Sequence, residues 1–358
     1  MAIVVLACLY LSLSLCVALS VGPLMPKHKL PIVKIPRGLA QIAAGGAILC
    51  SIGSLLVTSA GIARSFTLPL GQTFLQMLYT TLQGRGVLGV LLCGAVWFGA
   101  DALLRGRRRD LFALAASVGF VLFAALAMHA ATLSASAYVA QAAHLVAVTF
   151  WLGFLFLVGW FAVPDATWRP FLAWYTPAAI TCVAVVAVSG VTLMNDLSND
   201  WLNSLVLDYG QVLLLKHLLI IPLLAFASVN GFLIRRRLNR SARFDPRHWI
   251  RAESLLALAI FTVTALLSRQ TPPHDLRQTL RYTPPSQWFL RIYNGTVTPD
   301  IQLAFALRPL SIVFILAACA FLAMTYVVFR RRLRPSLALF TSLLFVASAY
   351  IAVAAAIE

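Results

Sequence analysis

Charge is what this chain has least of. Only 11% of its 358 residues are Asp, Glu, Lys or Arg, against about 25% in soluble domains, and no polar block is large enough to form a separate soluble domain. Acidic side chains are scarcer still, at 11 against 28 Lys and Arg. The resulting net charge of +17 would suit nucleic acid if the cations formed a face or a tail, but they punctuate apolar runs, and nucleic acid is not an expected partner. Six cysteines stand singly (Cys8, Cys16, Cys50, Cys93, Cys182, Cys319) without a Cys-x-x-Cys pair. That excludes a disulfide framework and a thiolate zinc site and leaves them as inert packing or lipid-facing residues. Methionine is equally sparse at six, with no Met-x-x-x-Met run, so a thioether relay is absent. There is no Gly-x-x-x-x-Gly-Lys loop, no Asp-Lys-Thr-Gly motif and no nucleophile paired with a base. Direct use of ATP and covalent catalysis are therefore not expected, and the chain does not read as an enzyme.

What is abundant is apolar length. Hydrophobic residues make up 61% of the chain, and runs of about 20, enough to cross roughly 30 Å of hydrocarbon as helix, recur throughout. They predict an all-α polytopic membrane bundle in contact with the lipid bilayer, with ten spans near 2–22, 38–62, 85–104, 111–133, 138–162, 171–193, 209–234, 249–268, 306–329 and 336–356. The first run has no basic residue before it and no clear cleavage site, so it reads as a retained helix and not as a signal peptide. Lys and Arg in alternate connections differ sharply, 20 against 7. The basic side is the cytoplasmic one, which places both termini on the outer, periplasmic face and "RRRLNRSARFDPRHWIR" in a cytoplasmic loop.

One hairpin carries chemistry. "MHAATLSASAYVAQAAH" joins the fourth and fifth spans with a histidine at each end, and the midpoint of His129 and His144 falls in its Ser/Ala turn. In a tight antiparallel hairpin, residues equidistant from the turn reach the same height. At about 1.5 Å per residue both imidazoles would lie roughly 10 Å below the tip, where they can face one another. Ionisable groups within a membrane read as functional by default, and imidazole is a common copper ligand, with thioether sulfur selecting the cuprous state. Met128 adjoins His129. The alternative is that each histidine hydrogen-bonds a Ser, Thr or carbonyl of a neighbouring helix.

Further candidates lie on the same side. His217 in "YGQVLLLKHLLIIP" falls at a similar depth, and Met194 closes the sixth span beside the acidic stretch "NDLSNDWLNSLVLD". Lys216 needs a counter-charge or a snorkelling route, which Asp208 or Asp196 would supply. Asp101 is expected to pair with Arg105 one turn on, and Glu253 with an arginine of the preceding loop or a cation from another helix. His274 sits in a loop too long to be a mere turn, whose Pro and aromatic content suggests an ordered cap or a docking surface.

Several of these pieces resemble the copper resistance D family of bacterial inner-membrane proteins: "AMHAA" with "AAHLVAVTFWLGFLFLV", then "SGVTLMNDL", "DYGQVLLLKHLLIIPLLAFASVN" and "RAESLLALAIFTVTALLSRQTPP", with "TTLQGRGVLGVLL" more distantly. The resemblance spans roughly residues 66–273. It divides the chain into an N-terminal pair of spans (1–65), a copper resistance D-like core (66–273), and a loop with two further spans (274–358) that have no counterpart. It implies copper transport across the bacterial inner membrane as uptake from the periplasm, a periplasmic copper-binding protein as partner, His129 and His144 as copper ligands, and Trp151 and Gly153 as packing residues. The metal set is then His129, His144, His217, Met128 and Met194. Two other functions share these features. Facing histidines also suit a b-type haem that passes electrons, although a haem would have to fit within one tight hairpin. An assembly factor that delivers copper to a respiratory oxidase would use the same site.

Overall fold

The computed structural model describes residues 1–164, 167–197, 200–240, 244–273, 276–291, 293 and 295–358. Among them helix is the only extended element, apart from isolated bridges Val33–Ala162 and Phe305–Ile357. Ten helices are long and apolar enough to cross a membrane, as the run lengths predict. The chain divides into two compact units, Met1–Asp196 and Leu197–Glu358, so the boundary falls inside the 66–273 segment.

The first unit contains α1 (Ala2–Val21), α2 (Leu39–Ser65), the short α3 (Leu70–Thr80), α4 (Leu82–Leu103), α5 (Gly106–Leu126), α6 (Ala135–Phe161) and most of α7 (Trp168–Leu197). Small residues set how closely these rods approach, the usual device where lipid supplies no hydrophobic drive between helices. A Cβ at Gly153 of α6 would overlap the Ser14 carbonyl of α1, and one at Gly89 of α4 would overlap the Phe123 ring of α5. The expected packing role of Gly153 is thus visible, and Trp151 is buried beside it. Ser20 and Ser117 hydroxyls bridge α1 and α5 at 2.9 Å.

Two spans sit at opposite extremes. In α6, 72% of the apolar window is buried, and in α7 only 11%. α6 is the centre of the unit, while α7 turns most of its surface outward. Near its start α7 is tied down by Phe171 stacked on Tyr175 at 4.7 Å, by Tyr175 Oη donating to the Trp151 carbonyl (2.8 Å), and by Trp174 Nε1 donating to the Lys29 carbonyl (2.7 Å).

At the end where α4 meets α5 a polar latch replaces the expected Asp101–Arg105 pair. Arg109 grips Asp101 at 2.8 Å and Asp110 at 3.1 Å, and Gln41 of α2 donates to Asp101 at 3.0 Å. Arg105 is the extended residue preceding α5. Its guanidinium turns back onto the carbonyls of Asp101, Ala102 and Leu104, orphan acceptors at a helix end, and so it is spent on capping.

The second unit contains α8 (Asp208–Ser228), a π-helical turn (Val229–Ile234), α9 (Arg235–Arg240), α10 (Arg247–Leu267), the short α11 (Leu276–Tyr282) and α12 (Gln287–Leu290), and α13 (Pro309–Arg330) packed against α14 (Pro335–Ala356). The long loop is an ordered cap. Leu205, Val206, Phe289, Ile301, Leu303 and Ile357 form one buried cluster, the Ser286 amide donates to the Val206 carbonyl (2.8 Å), and Asn203 Oδ1 accepts from the Leu303 amide (2.6 Å). Asp200, from the acidic stretch, accepts from the amide and side chain of Asn203. That carboxylate therefore holds a turn in place. His274 lies outside the described residues.

Candidate metal site

The α5–α6 connection differs from the expected tight hairpin. α5 stops at Leu126, Met128 is extended, and His129 opens a 3-10 turn through Thr132 before Ser134 starts α6. Ser134 does so by accepting the Ala137 amide on its hydroxyl at 3.0 Å. The premise of two helical histidines equidistant from one turn is corrected: His129 is exposed in the connection, whereas His144 is half-buried more than two turns into α6.

His144 faces α7. Its Nδ1 lies 3.1 Å from Ser189 Oγ, and its ring runs alongside Gly190, where a Cβ would sit 3.7 Å from Cε1. The proton arrangement follows from Ser189, whose hydroxyl donates to the Val185 carbonyl at 2.6 Å. With that proton directed to the Val185 carbonyl, Ser189 Oγ is able to accept from Nδ1, an arrangement that would place the ring hydrogen on Nδ1. Fixing a ligand's tautomer through its other ring nitrogen is the usual role of a residue behind a metal site.

The methionines stand one turn further toward the connection. Met128 Sδ accepts from Gln141 Nε2 at 3.1 Å, and Gln141 precedes His144 by three residues, on the same face of α6. Met194 follows Gly190 by four residues on α7 and is half-buried. Met128 is thus tied through Gln141 to the turn of α6 before His144, and Met194 stands one turn beyond the Ser189–Gly190 contact on α7.

In the second unit His217 is exposed on α8, and its Nδ1 donates to the Leu213 carbonyl one turn back (2.8 Å), leaving the lone pair on Nε2. Lys216 meets no described carboxylate of its own unit, so the expected pairing with Asp208 is not made. Among the described residues, no group of three or more His, Cys, Asp or Glu side chains is placed to hold a metal ion.

Glu253 also differs from expectation. It is 2% exposed, and its partner is no arginine: Asn230 Nδ2, on the π-helical turn, donates to Glu253 Oε2 at 2.5 Å. Asn230 lies ten residues before the end of α9 and Glu253 six after the start of α10, so the symmetry applied to the histidines does not predict this pair. Outside the spans, Asp245 is gripped by Arg247 at 2.6 Å. Burial alone would raise its carboxyl, but the hydrogen bonds and charge of Arg247, with His248, hold it below the usual carboxylate range.

Ten apolar helices and polar groups satisfied between them define a multi-pass membrane protein. Within it, residues 169–267, from the start of α7 to the end of α10, match the family model of copper resistance protein D. The match falls short of half the chain. It takes in Ser189, Gly190, Met194, His217, Asn230 and Glu253, while Met128, His129 and His144 lie outside it. Neither a curated protein nor a solved structure matches the chain.

Proposed function

We propose that this chain transports copper across the bacterial inner membrane, as uptake from the periplasm, through a site built on His144. The observation that carries this reading is that the α7 wall of the His144 contact, Ser189 to Met194, belongs to the segment similar to copper resistance protein D. The donor chemistry agrees. The His144 imidazole, with the thioethers of Met128 and Met194 near the two ends of that contact, is a soft set of few donors suited to cuprous ion. Few donors favour transit over storage, because conduction requires release as well as binding.

In this scheme exposed His129 takes copper from a periplasmic copper-binding protein, Met128 carries it inward beside Gln141, and His144 receives it. His217 offers a second imidazole of the same tautomer, in the other unit. Copper is cargo, and no covalent step is required.

The test is metal binding and uptake. Purified protein in proteoliposomes is supplied with chelator-buffered cuprous ion, and bound and internalised copper are counted for wild type, His129→Ala, His144→Ala and the Met128→Leu/Met194→Leu double variant. Loss of binding in His144→Ala, with partial loss in the methionine variant, is expected. Unchanged copper content in both histidine variants overturns the assignment, and a Soret band in the purified protein would establish the haem reading instead.

A further inference from the structure

Among the described residues, Glu253 is the one carboxylate buried to this depth, at 2% exposed. The described ion pairs join Asp or Glu to arginine, whereas Glu253, among the most deeply buried side chains, has a neutral amide as its one described partner. The same amide leaves an atom over. Asn230 is 6% exposed, its Nδ2 also reaches the Trp249 carbonyl at 3.4 Å, and its Oδ1 is buried with no partner. It sits in a π-helical turn, a local widening that often marks a functional site.

We propose that Glu253 and Asn230 form a proton-binding site, in which the carboxyl holds a proton within the membrane and exchanges it toward the arginine-rich end of α10. A carboxylate out of water and without a counter-charge is too costly to persist and neutralises itself by taking up a proton. Asn230 is able to serve both states. Against the ionised form, Nδ2 donates to the carboxylate. Against the protonated form, a half-turn of the amide presents Oδ1 as acceptor for the carboxyl hydroxyl, which gives the orphaned oxygen a partner. On release the O–H bond breaks, the proton passes to water and no electrons move.

The donors argue against a metal here. Two side chains offering only oxygen and amide nitrogen lack the sulfur or imidazole that cuprous ion selects, and they fall short of the six to eight oxygens that calcium takes. Nor do the surrounding groups neutralise Glu253. On α10, Arg247 is committed to Asp245, His248 is exposed, and Arg251 is two residues away, off the shared face. From α9, Arg237 stacks on Phe244 and Phe329. On α13, Arg330 lies over Tyr326. α14 carries no charged residue, and its Tyr350 bonds Gln211. On α8, Lys216 and Asp208 lie about four turns or more from Asn230.

Infrared difference spectroscopy of the full chain in nanodiscs, titrated with pH in H2O and D2O, tests this without copper, so its failure leaves the copper reading standing and the reverse also holds. A protonated-carboxyl C=O band is expected at neutral pH. It should shift in D2O, disappear at alkaline pH, be lost in Glu253→Gln and move in frequency in Asn230→Ala. Absence of the band in wild type, its survival in Glu253→Gln, or no shift in D2O overturns the proposal. If Glu253→Gln does not fold, an unmoved band in Asn230→Ala does so.

Discussion

Ser189 donates its one hydroxyl proton to the Val185 carbonyl and lies within hydrogen-bond distance of His144 Nδ1, so it orients that ring. Removing that hydroxyl frees the ring to rotate and change tautomer without touching the ligand itself. Ser189→Ala is therefore expected to weaken copper binding by about 10–100-fold, the usual scale for losing a group behind a metal ligand, with helicity unchanged. Isothermal titration with buffered cuprous ion checks it, and equal affinity would show that Ser189 merely packs. Asp245 supports a prediction in pH. Its carboxyl is held low by Arg247, so the pair's stabilisation is complete above the unfolded value of about 3.9 and is lost as pH falls through the lower folded value. Both side chains are partly exposed, which keeps the effect to about 1 kcal/mol or less. Arg247→Gln should melt below wild type at neutral pH and converge with it toward pH 3. At this scale the sequence misled where a short-range rule competed with tertiary geometry. Asp101 has an arginine one turn away, yet Arg105 is drawn into capping and Arg109 takes its place. His129 sits in an alanine-rich stretch with no Gly or Pro to stop a helix, so the end of α5 at Leu126 left no mark in the sequence.

Among the elements, the spans were legible because twenty apolar residues in a row have few other uses. The close approaches between them were not, since a glycine in a run does not announce its neighbour. Gly153 and Gly45 make the contrast measurable. A Cβ at Gly153 would strike the Ser14 carbonyl, while one at Gly45 meets nothing within 4 Å. Gly153→Ala is expected to destabilise by about 1–3 kcal/mol through overpacking, and Gly45→Ala to stabilise by about 0.5–1 kcal/mol through reduced backbone freedom. Thermal unfolding in detergent compares the two. Equal shifts would remove the α1–α6 contact from the list of determinants. The cap over the second unit was half legible: its Pro and aromatic residues indicated order, but its dependence on Asn203, which joins Asp200 to Leu303, rests on residues about 100 apart.

For the whole molecule, the asymmetry of 20 against 7 basic residues is the basis of the proposed sidedness, which the helix count alone leaves open. With the native cysteines replaced, Arg107→Cys at the exposed start of α5 should be shielded from an impermeant maleimide applied to intact cells. Gln287→Cys, exposed in the cap, should be labelled. The reverse pattern would invert the proposed path of copper and place His129 on the cytoplasmic side. Symmetry about a connection was a poor whole-chain signal. It misplaced the histidines, because a 3-10 turn interrupts the hairpin, and it does not predict the Asn230–Glu253 contact, whose partners lie at unequal distances from the α9–α10 connection.

The outward-facing α7 has one more consequence. Its apolar stretch, 171–193, is about 35 Å long, slightly beyond a hydrocarbon layer of about 30 Å, and only 11% of its apolar window is buried by protein, so its tilt is expected to respond to the surrounding lipid. Ser189 rides on the distal half of that lever, beyond the aromatic anchor at its base. If copper binds at the proposed site, acyl-chain length should tune copper affinity in reconstituted vesicles while leaving the tightly packed interior of the first unit unmoved.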